Sequence, residues 1–253
     1  MSAFWRDMRR AWPGRTLPVE AKRTVFVCAL AIFFLATHLP FITPGPGSVD
    51  ATNFALGVRD FDPSDHRPHP PGYPVFIALG KVTRSLVAFS PTDHESVNAE
   101  ARALAVWGVL FGAVAVFPLF VIFRFLGLDV PSAFGATALT VMCPLFSFTA
   151  VRSLSDIPGL SAACIVQAML FTAYRRPRSE SQSAWRLLLF AAMLSGFVIG
   201  VRSQTAWLTI PVLIAVAWMH TTRVLERRAQ SLAMVAMRRP SGLNLAARIG
   251  VRP

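Results

Sequence analysis

The sequence predicts an all-α, polytopic transmembrane helical bundle of about six spans, with one outer loop that contains an interfacial amphipathic helix. Two observations predict this fold. The 253-residue chain is 54% hydrophobic, has a mean hydropathy of +0.50 and carries only 15% charged residues, which is too apolar for a soluble domain. Its apolar residues also form runs long enough to cross about 30 Å of hydrocarbon, for which a helix needs about 20 residues.

Six apolar runs are the candidate spans. The first follows a basic stretch but lacks a small-residue cleavage site, so it indicates a retained span and not a cleaved signal. Only Arg202, Ser203 and Gln204 separate the last two runs, which predicts a tight helical hairpin. In chain order, the runs are residues 24–42, 103–126, 131–151, 157–174, 187–201 and 205–222.

The distribution of charge predicts the orientation of the bundle. Residues 1–23 form a basic N-terminal segment, residues 24–222 the transmembrane region with its outer loop at 43–102, and residues 223–253 a basic tail. With the N terminus in the cytoplasm, 18 of the 25 Lys and Arg lie on the cytoplasmic side, as the positive-inside rule requires. The net charge of +12 then favours anionic lipid headgroups as partners, and not nucleic acid. We expect a multi-pass protein of a bacterial inner (plasma) membrane.

The outer loop contains a segment with helical periodicity. Within residues 73–90, the side chains of Val75, Leu79, Val82 and Leu86 fall on one stripe. This pattern predicts a helix that lies on the membrane surface and does not span it.

Two glycine pairs occur at a spacing of four inside apolar runs. Gly108 with Gly112, and Gly196 with Gly200, both fit the GxxxG pattern that lets neighbouring helices approach closely. We interpret both pairs as packing sites without chemistry.

Acidic and histidine side chains are dense in the first part of the loop. Asp50 follows the first span by a few residues, so its carboxylate is expected where headgroups meet water. Asp62 and Asp65 are better explained as helix caps or solvated loop residues. His66 and His69 could join the nearby Asp residues in a metal site, but the spacing matches no zinc signature and the neighbouring prolines disfavour a helical pair. We therefore expect no cofactor and no metal ligands, and a divalent metal has no support in the spacing.

The segment from His69 to Pro74 reads HPPGYP and precedes the amphipathic helix. Three prolines and a glycine predict a rigid reversal of the chain here. A structural elbow is the simplest interpretation, and such an elbow would also fix how the preceding acidic segment is presented.

Charged residues also lie at the junctions of the later spans. Asp156 lies between two long apolar runs, where an ionisable group is costly unless it is used. A helix cap with Pro158 in the first turn is the competing explanation, and both can hold. Arg152 precedes this junction, while Arg202 and Gln204 lie at the tip of the last hairpin on the same side. Arginine suits bidentate phosphate binding, and snorkelling at the interface explains Arg202 equally well.

Together these features resemble the N-terminal half of the GT-C superfamily of membrane glycosyltransferases, which includes protein O-mannosyltransferases and lipid A aminoarabinose transferases. The resemblance covers residues 20–222. It rests on an Asp soon after the first span, the HPPGYP elbow, the amphipathic loop helix, Ala101-Arg102 before the second span, and Ser155-Asp156-Ile157-Pro158.

The resemblance implies an inverting transfer of a sugar from a polyprenyl-phosphate carrier to an acceptor hydroxyl at the outer membrane face. Asp50 would be the general base by itself, because the family often has a second acid directly after this position and the chain has Ala51. Arg202, and after it Arg152, would neutralise the departing phosphate. The other residues that would bind or orient the substrate are His69, Tyr73, Asp156 and Gln204. The implied partners are the polyprenyl-phosphate-sugar donor and membrane lipids.

Two other readings of the sequence remain open. A non-catalytic transporter or assembly subunit would use the same six helices and basic inner face, and it would tolerate replacement of Asp50. An inactive, truncated glycosyltransferase remnant would explain why the residues after 222 are Arg-rich and weakly patterned, whereas members of the superfamily usually continue for several more spans.

Overall fold

A computed structural model describes residues 19–86, 97–176 and 181–238 of the chain. These ranges contain α-helices and no β-strand, which confirms the predicted all-α class. In chain order the helices of the described ranges are α1 (Val19–His38), α2 (Val49–Arg59), α3 (Pro74–Leu86), α4 (Asn98–Phe125), α5 (Val130–Met142), α6 (Pro144–Ala150), α7 (Asp156–Arg175), α8 (Ser181–Ile199) and α9 (Thr205–Arg238).

Five helices, α1, α4, α7, α8 and α9, are long and apolar enough to cross a membrane. The bent pair α5 and α6 counts as a sixth when it is taken as one span. The prediction of a bundle of about six spans is therefore confirmed, and the chain is a multi-pass membrane protein.

The surface of the bundle is apolar in the way that lipid requires. Large side chains on the outer faces of the spans are widely exposed, among them Ile32 at 65%, Met193 at 75% and Trp207 at 81%. The interior, in contrast, is rich in alanine, with Ala103, Ala105 and many others fully buried. Small residues inside and large apolar residues outside are the arrangement expected when lipid surrounds the helices.

The third predicted span, residues 131–151, is broken and not straight. Helices α5 and α6 meet at an angle of 57°, with Cys143 in an extended conformation between them. Pro144 explains the break, because its nitrogen has no hydrogen to donate and the residue before a proline is driven out of the helical conformation.

The broken pair nevertheless runs from one end of the bundle to the other. Near its start, the Phe134 ring packs edge-on against Phe26 in the first half of α1, with centroids 6.1 Å apart. After its end, the Val151 carbonyl accepts a hydrogen bond of 2.9 Å from the Thr43 amide, beyond the other end of α1. The pair therefore follows the length of α1 as a bent span, and does not return to its starting side.

The two predicted glycine pairs differ in the structure. A Cβ added to Gly108 would lie 2.3 Å from the Ala150 carbonyl oxygen, and one added to Gly112 would lie 2.6 Å from the Phe34 ring. Gly196 faces open space, with nothing of the described chain within 4 Å of such a Cβ. A Cβ added to Gly200 would lie 2.6 Å from the Val75 side chain of α3. The packing interpretation thus holds for the first pair and for Gly200, and is wrong for Gly196 among the described helices.

Helix α3 confirms the predicted loop helix, although it buries a different face. Its buried side chains are Phe76, Ile77 and Thr83, with Gly80 between them, whereas Val82 and Leu86 of the expected stripe are 50% and 79% exposed. The Trp107 indole of α4 decides the orientation, since its N–H donates to the Thr83 hydroxyl at 2.7 Å. The second half of the expected stripe is thus left on the outside, where an interface can cover it, whereas Val75 packs against a buried apolar cluster. Residues 87–90 of the predicted helix lie outside the described ranges.

Two helices extend beyond the predicted elements. The outer loop contains α2, which begins behind the Ser48 cap and was not predicted. Helix α9 continues to Arg238, so it runs through the predicted boundary at residue 222. The predicted basic N-terminal segment up to residue 18 and the end of the basic tail, residues 239–253, lie outside the described ranges.

Replacing Gly108 with alanine tests the close contact between α4 and α6. We expect Gly108→Ala to lower the free energy of unfolding by about 1–3 kcal/mol, because the new methyl group would overlap backbone that cannot move independently. Thermal unfolding in detergent micelles measures this change. Gly196→Ala is the matched control and should be neutral or slightly stabilising, since alanine favours helix more than glycine does. Equal losses in the two variants would contradict the packing described here.

Candidate functional site

The loop end is the name used here for the end of the bundle that carries α2, α3, the starts of α4 and α7, and the turn between α8 and α9. Backbone hydrogen bonds join these parts across the chain. The Val75 amide at the start of α3 donates to the Gly200 carbonyl at 3.0 Å, and the Thr43 amide after α1 donates to Val151 before α7. Nearly all the residues predicted for a site therefore lie at one end of the molecule.

An apolar cluster supports the loop end from beneath. Tyr73 from the elbow is 5% exposed and packs edge-on against Phe54 of α2, with ring centroids 5.0 Å apart. Leu104 of α4 and Val201 of the last hairpin are fully buried in the same cluster. The elbow thus joins the outer loop to two of the spans, as a rigid reversal would.

His69 is part of this support and is half-buried. Its ring lies 5.6 Å from Phe54 and 5.3 Å from Tyr73, between centroids. Its Nδ1 atom is buried without a hydrogen-bond partner among the described residues. A buried ring nitrogen without a partner is costly unless a ligand or water satisfies it, so His69 combines a packing role with an unused polar atom.

Asp50 lies in the first turn of α2 and is exposed to solvent. The Ser48 side chain caps this helix by accepting a hydrogen bond of 3.3 Å from the Ala51 amide. No hydrogen bond or ion pair from the described residues engages the Asp50 carboxylate. The structural explanation for an acid here is its favourable interaction with the helix dipole, and that interaction leaves both oxygens available to a substrate.

Arg152 reaches the segment that carries Asp50. Its Nη2 atom donates to the Gly47 carbonyl at 3.4 Å, three residues before Asp50. None of the described carboxylates pairs with this guanidinium. Most of its five donors therefore remain available near the segment that leads into α2.

Arg202 is engaged more tightly than Arg152. Its Nη1 atom lies 3.1 Å from the Asp156 carboxylate and donates to the Ser155 hydroxyl at 3.0 Å. Gly159 permits this approach, because a Cβ there would lie 2.8 Å from the Arg202 Cβ. The pair fastens the start of α9 to the start of α7, so Asp156 and Arg202 have a structural role whether or not they also meet a substrate.

Gln204, the last of the predicted site residues, is exposed at the start of α9. Its side-chain carbonyl accepts a hydrogen bond of 3.3 Å from the Ser203 hydroxyl. Two groups thus form at the loop end: Arg152 beside the Asp50 segment, and Arg202 with Asp156. No described contact joins the two groups directly.

The remaining loop acids have local partners. Asp62 caps a short 3-10 turn, which confirms the cap interpretation for this residue, and hydrogen bonds from the Ser64 hydroxyl and amide lower the pKa of its carboxyl. Arg67 pairs with Asp60 at 3.1 Å and with Asp65 at 2.6 Å. Across the described ranges, no three His, Cys, Asp or Glu side chains converge in a way that would hold a metal ion.

Glu100 is the charged residue of the loop end that sequence reasoning missed. Its side chain is 8% exposed and accepts two hydrogen bonds from Arg59, at 3.2 Å from Nε and 3.1 Å from Nη2. The Arg84 Nε atom lies 3.8 Å away on the other side. Glu100 therefore links α2, α3 and α4. Its sequence signal is an acid in the first turn of a long apolar helix, and its burial, which the sequence does not show, is what requires a cation.

Comparison with protein-family models, curated proteins and solved structures finds no match to this chain.

Four cavities of about 380–520 Å³ lie between or beside the spans, and none of these four is lined by a residue of the predicted site. The chemistry available on the exposed face of the loop end is therefore argued from its side chains, above all Asp50 and Arg152.

Removing the charge of Glu100 tests the link between the loop helices and α4. Glu100→Gln should lower the free energy of unfolding by about 2 kcal/mol, because two arginines lose a charged acceptor in a nearly buried position. Asp60→Asn is the control, since its ion pair with Arg67 is exposed and worth less than about 1 kcal/mol. Chemical denaturation in mixed micelles measures both. A smaller loss for Glu100→Gln than for Asp60→Asn would contradict the assignment.

Proposed function

We propose that this protein is an inverting membrane glycosyltransferase that moves a sugar from a polyprenyl-phosphate carrier to an acceptor hydroxyl at the loop end, with Asp50 as the general base. The observation that carries the proposal is the exposed Asp50 carboxylate, which has no partner among the described residues and lies where the chain leaves the first span. A general base must reach the proton that it removes. Asp156 is less suited to this role because Arg202 already holds it.

The proposed reaction is one displacement at the anomeric carbon. The acceptor hydroxyl attacks that carbon while Asp50 takes its proton, and the bond from the carbon to the phosphate oxygen breaks. The polyprenyl phosphate leaves with the bonding electrons from the opposite face, which inverts the configuration. The proton on Asp50 then passes to solvent and restores the base.

A cation near the departing phosphate would stabilise its charge. The sequence favoured Arg202, whereas the geometry favours Arg152, because Arg152 contacts the Asp50 segment through Gly47 and has no carboxylate partner among the described residues. Arg202 and Asp156 then position the starts of α7 and α9. His69 and Tyr73 support the helix of Asp50 from below through Phe54, and Gln204 is exposed at the start of α9 as a group for binding sugar hydroxyls.

The orientation in the membrane is part of the proposal. The loop end would face outward and the N terminus the cytoplasm, in the plasma membrane of a bacterium. The excess of arginine at the other end of the bundle supports this orientation. Membrane lipids and the lipid-linked donor are the proposed partners, and the proposed reaction needs no metal, other cofactor or nucleic acid.

Replacing Asp50 with asparagine tests the proposed base. Membrane vesicles that contain the protein are supplied with radiolabelled polyprenyl-phosphate hexoses and pentoses, and transfer of label to the vesicle's own acceptors is measured. We expect Asp50→Asn to reduce transfer by about 10²–10⁴-fold with unchanged expression, because the amide cannot accept the proton. Arg152→Gln should also reduce transfer.

Asp60→Asn provides the matched control, since Asp60 is an exposed acid of the same loop that already pairs with Arg67. Its transfer rate should equal that of the unmodified chain. Retained transfer in Asp50→Asn would remove Asp50 from the mechanism. Absence of transfer in the unmodified chain with every donor would instead favour a non-catalytic membrane subunit.

A further inference from the structure

A cavity of about 390 Å³ opens at the opposite end of the bundle, between the start of α1 and the last turns of α4 and α7. We call it the arginine cavity, because three arginines contribute to its lining. Its lining residues are Arg23, Thr24, Val27, Phe117, Phe120, Val121, Arg124, Phe125, Phe171, Thr172 and Arg175. Two of them, Arg124 and Arg175, place like charges beside an apolar wall, so an anion in the cavity would offset their charge.

Two of the arginines keep most of their hydrogen-bonding capacity. Arg124 donates to the Leu128 carbonyl, and Arg175 donates to the Phe125 carbonyl while its guanidinium lies over the Phe125 ring, 4.6 Å from the centroid. Neither forms an ion pair with a carboxylate among the described residues. Each guanidinium has five N–H donors in a planar fork that matches phosphate oxygens.

The acid nearest in sequence to Arg124 does not occupy the cavity. Asp129 caps α5 by accepting a hydrogen bond of 2.9 Å from the Ser132 amide, and it is not among the lining residues. Hydrogen bonds from Ser132, and then the charge of Arg124, lower the pKa of the Asp129 carboxyl. Asp129 therefore offsets part of the charge from outside and leaves the interior to another anion.

The apolar part of the cavity points toward lipid. Phe117 and Val121 lie on the outer face of α4 and are 42% and 39% exposed. Phe117 precedes Arg124 by seven residues, which is about 10 Å along a helix. The cavity is thus cationic at the membrane surface and apolar deeper in the bilayer, which is the polarity of a phospholipid. A free inorganic anion would use the arginines alone.

We infer that the arginine cavity binds an anionic phospholipid of the adjoining leaflet, with Arg124 and Arg175 at its phosphate and with Phe117 and Val121 along the first part of an acyl chain. The chain's own N-terminal residues are poor alternative occupants, because the first 18 carry four arginines and one acid. This inference is independent of the glycosyltransferase proposal, since it concerns the other end of the bundle and needs no catalysis.

Lipid titration of the purified full chain in a neutral detergent tests the inference. Phosphatidylglycerol should raise the unfolding temperature and remain bound in native mass spectrometry, whereas phosphatidylcholine and sodium phosphate should do neither. The double variant Arg124→Gln with Arg175→Gln should bind phosphatidylglycerol at least about tenfold more weakly, because two charge-assisted contacts to phosphate are lost. Arg186→Gln is the matched control, since Arg186 is an exposed arginine near the start of α8 and does not line the cavity. The affinity of this variant for phosphatidylglycerol should be unchanged.

The single variants Arg124→Gln and Arg175→Gln keep the test decisive if the double variant fails to fold, and each should show part of the loss. Unchanged phosphatidylglycerol affinity in folded variants at both positions would overturn the inference. Equal stabilisation by sodium phosphate would assign the cavity to a free anion and overturn it as well. An equal loss of phosphatidylglycerol affinity in Arg186→Gln would show that general surface charge causes the effect, and this result would also overturn the inference.

Discussion

Gly108 has no side chain, and this allows α6 to lie directly against α4 with the Ala150 carbonyl in the space that a Cβ would fill. Much of the loop end depends on this contact. Because Ala150 is fixed, Val151 can receive the hydrogen bond from Thr43, and Arg152 can reach Gly47 beside the segment of Asp50. Close packing of small residues is what associates helices in lipid, where burial of apolar surface provides little drive. The same packing therefore holds the bundle together and places the candidate cation at the segment that leads to the candidate base.

The two ends of the bundle differ in how their charges are compensated. At the loop end, Glu100 is paired with Arg59, and Asp156 is paired with Arg202, whereas Asp50 and Arg152 form no ion pair with the described residues. At the other end, Arg124 and Arg175 each donate to a backbone carbonyl, Arg175 also lies over the Phe125 ring, and neither pairs with a described carboxylate. Charged side chains without an ion-pair partner at the loop end suit a polar substrate that binds and dissociates. Uncompensated positive charge in a partly apolar cavity suits a resident lipid.

The sequence predicted the elements whose signals are local. Runs of about 20 apolar residues predict spans because the thickness of the bilayer sets their length, and the loop helix and the Asp62 cap also follow from neighbouring residues. Features that depend on distant partners were missed or misjudged. The two glycine pairs are alike in sequence, yet Gly108, Gly112 and Gly200 meet other helices while Gly196 meets none of the described ones. The buried face of α3 depends on Trp107 of α4, and Glu100 depends on arginines of two other helices. The broken third span had a local signal in Pro144, which the apolar run concealed.

The central claim is that the loop end and the arginine cavity lie on opposite faces of one membrane. Labelling of single cysteines measures this most directly, in a chain whose native Cys28, Cys143 and Cys164 have been replaced by alanine. Ser64→Cys marks the exposed loop and Gln182→Cys marks the exposed start of α8. A membrane-impermeant maleimide should label Ser64→Cys in intact cells and Gln182→Cys only after permeabilisation. Labelling of both positions in intact cells would contradict the account, and the reverse pattern would contradict the proposed orientation.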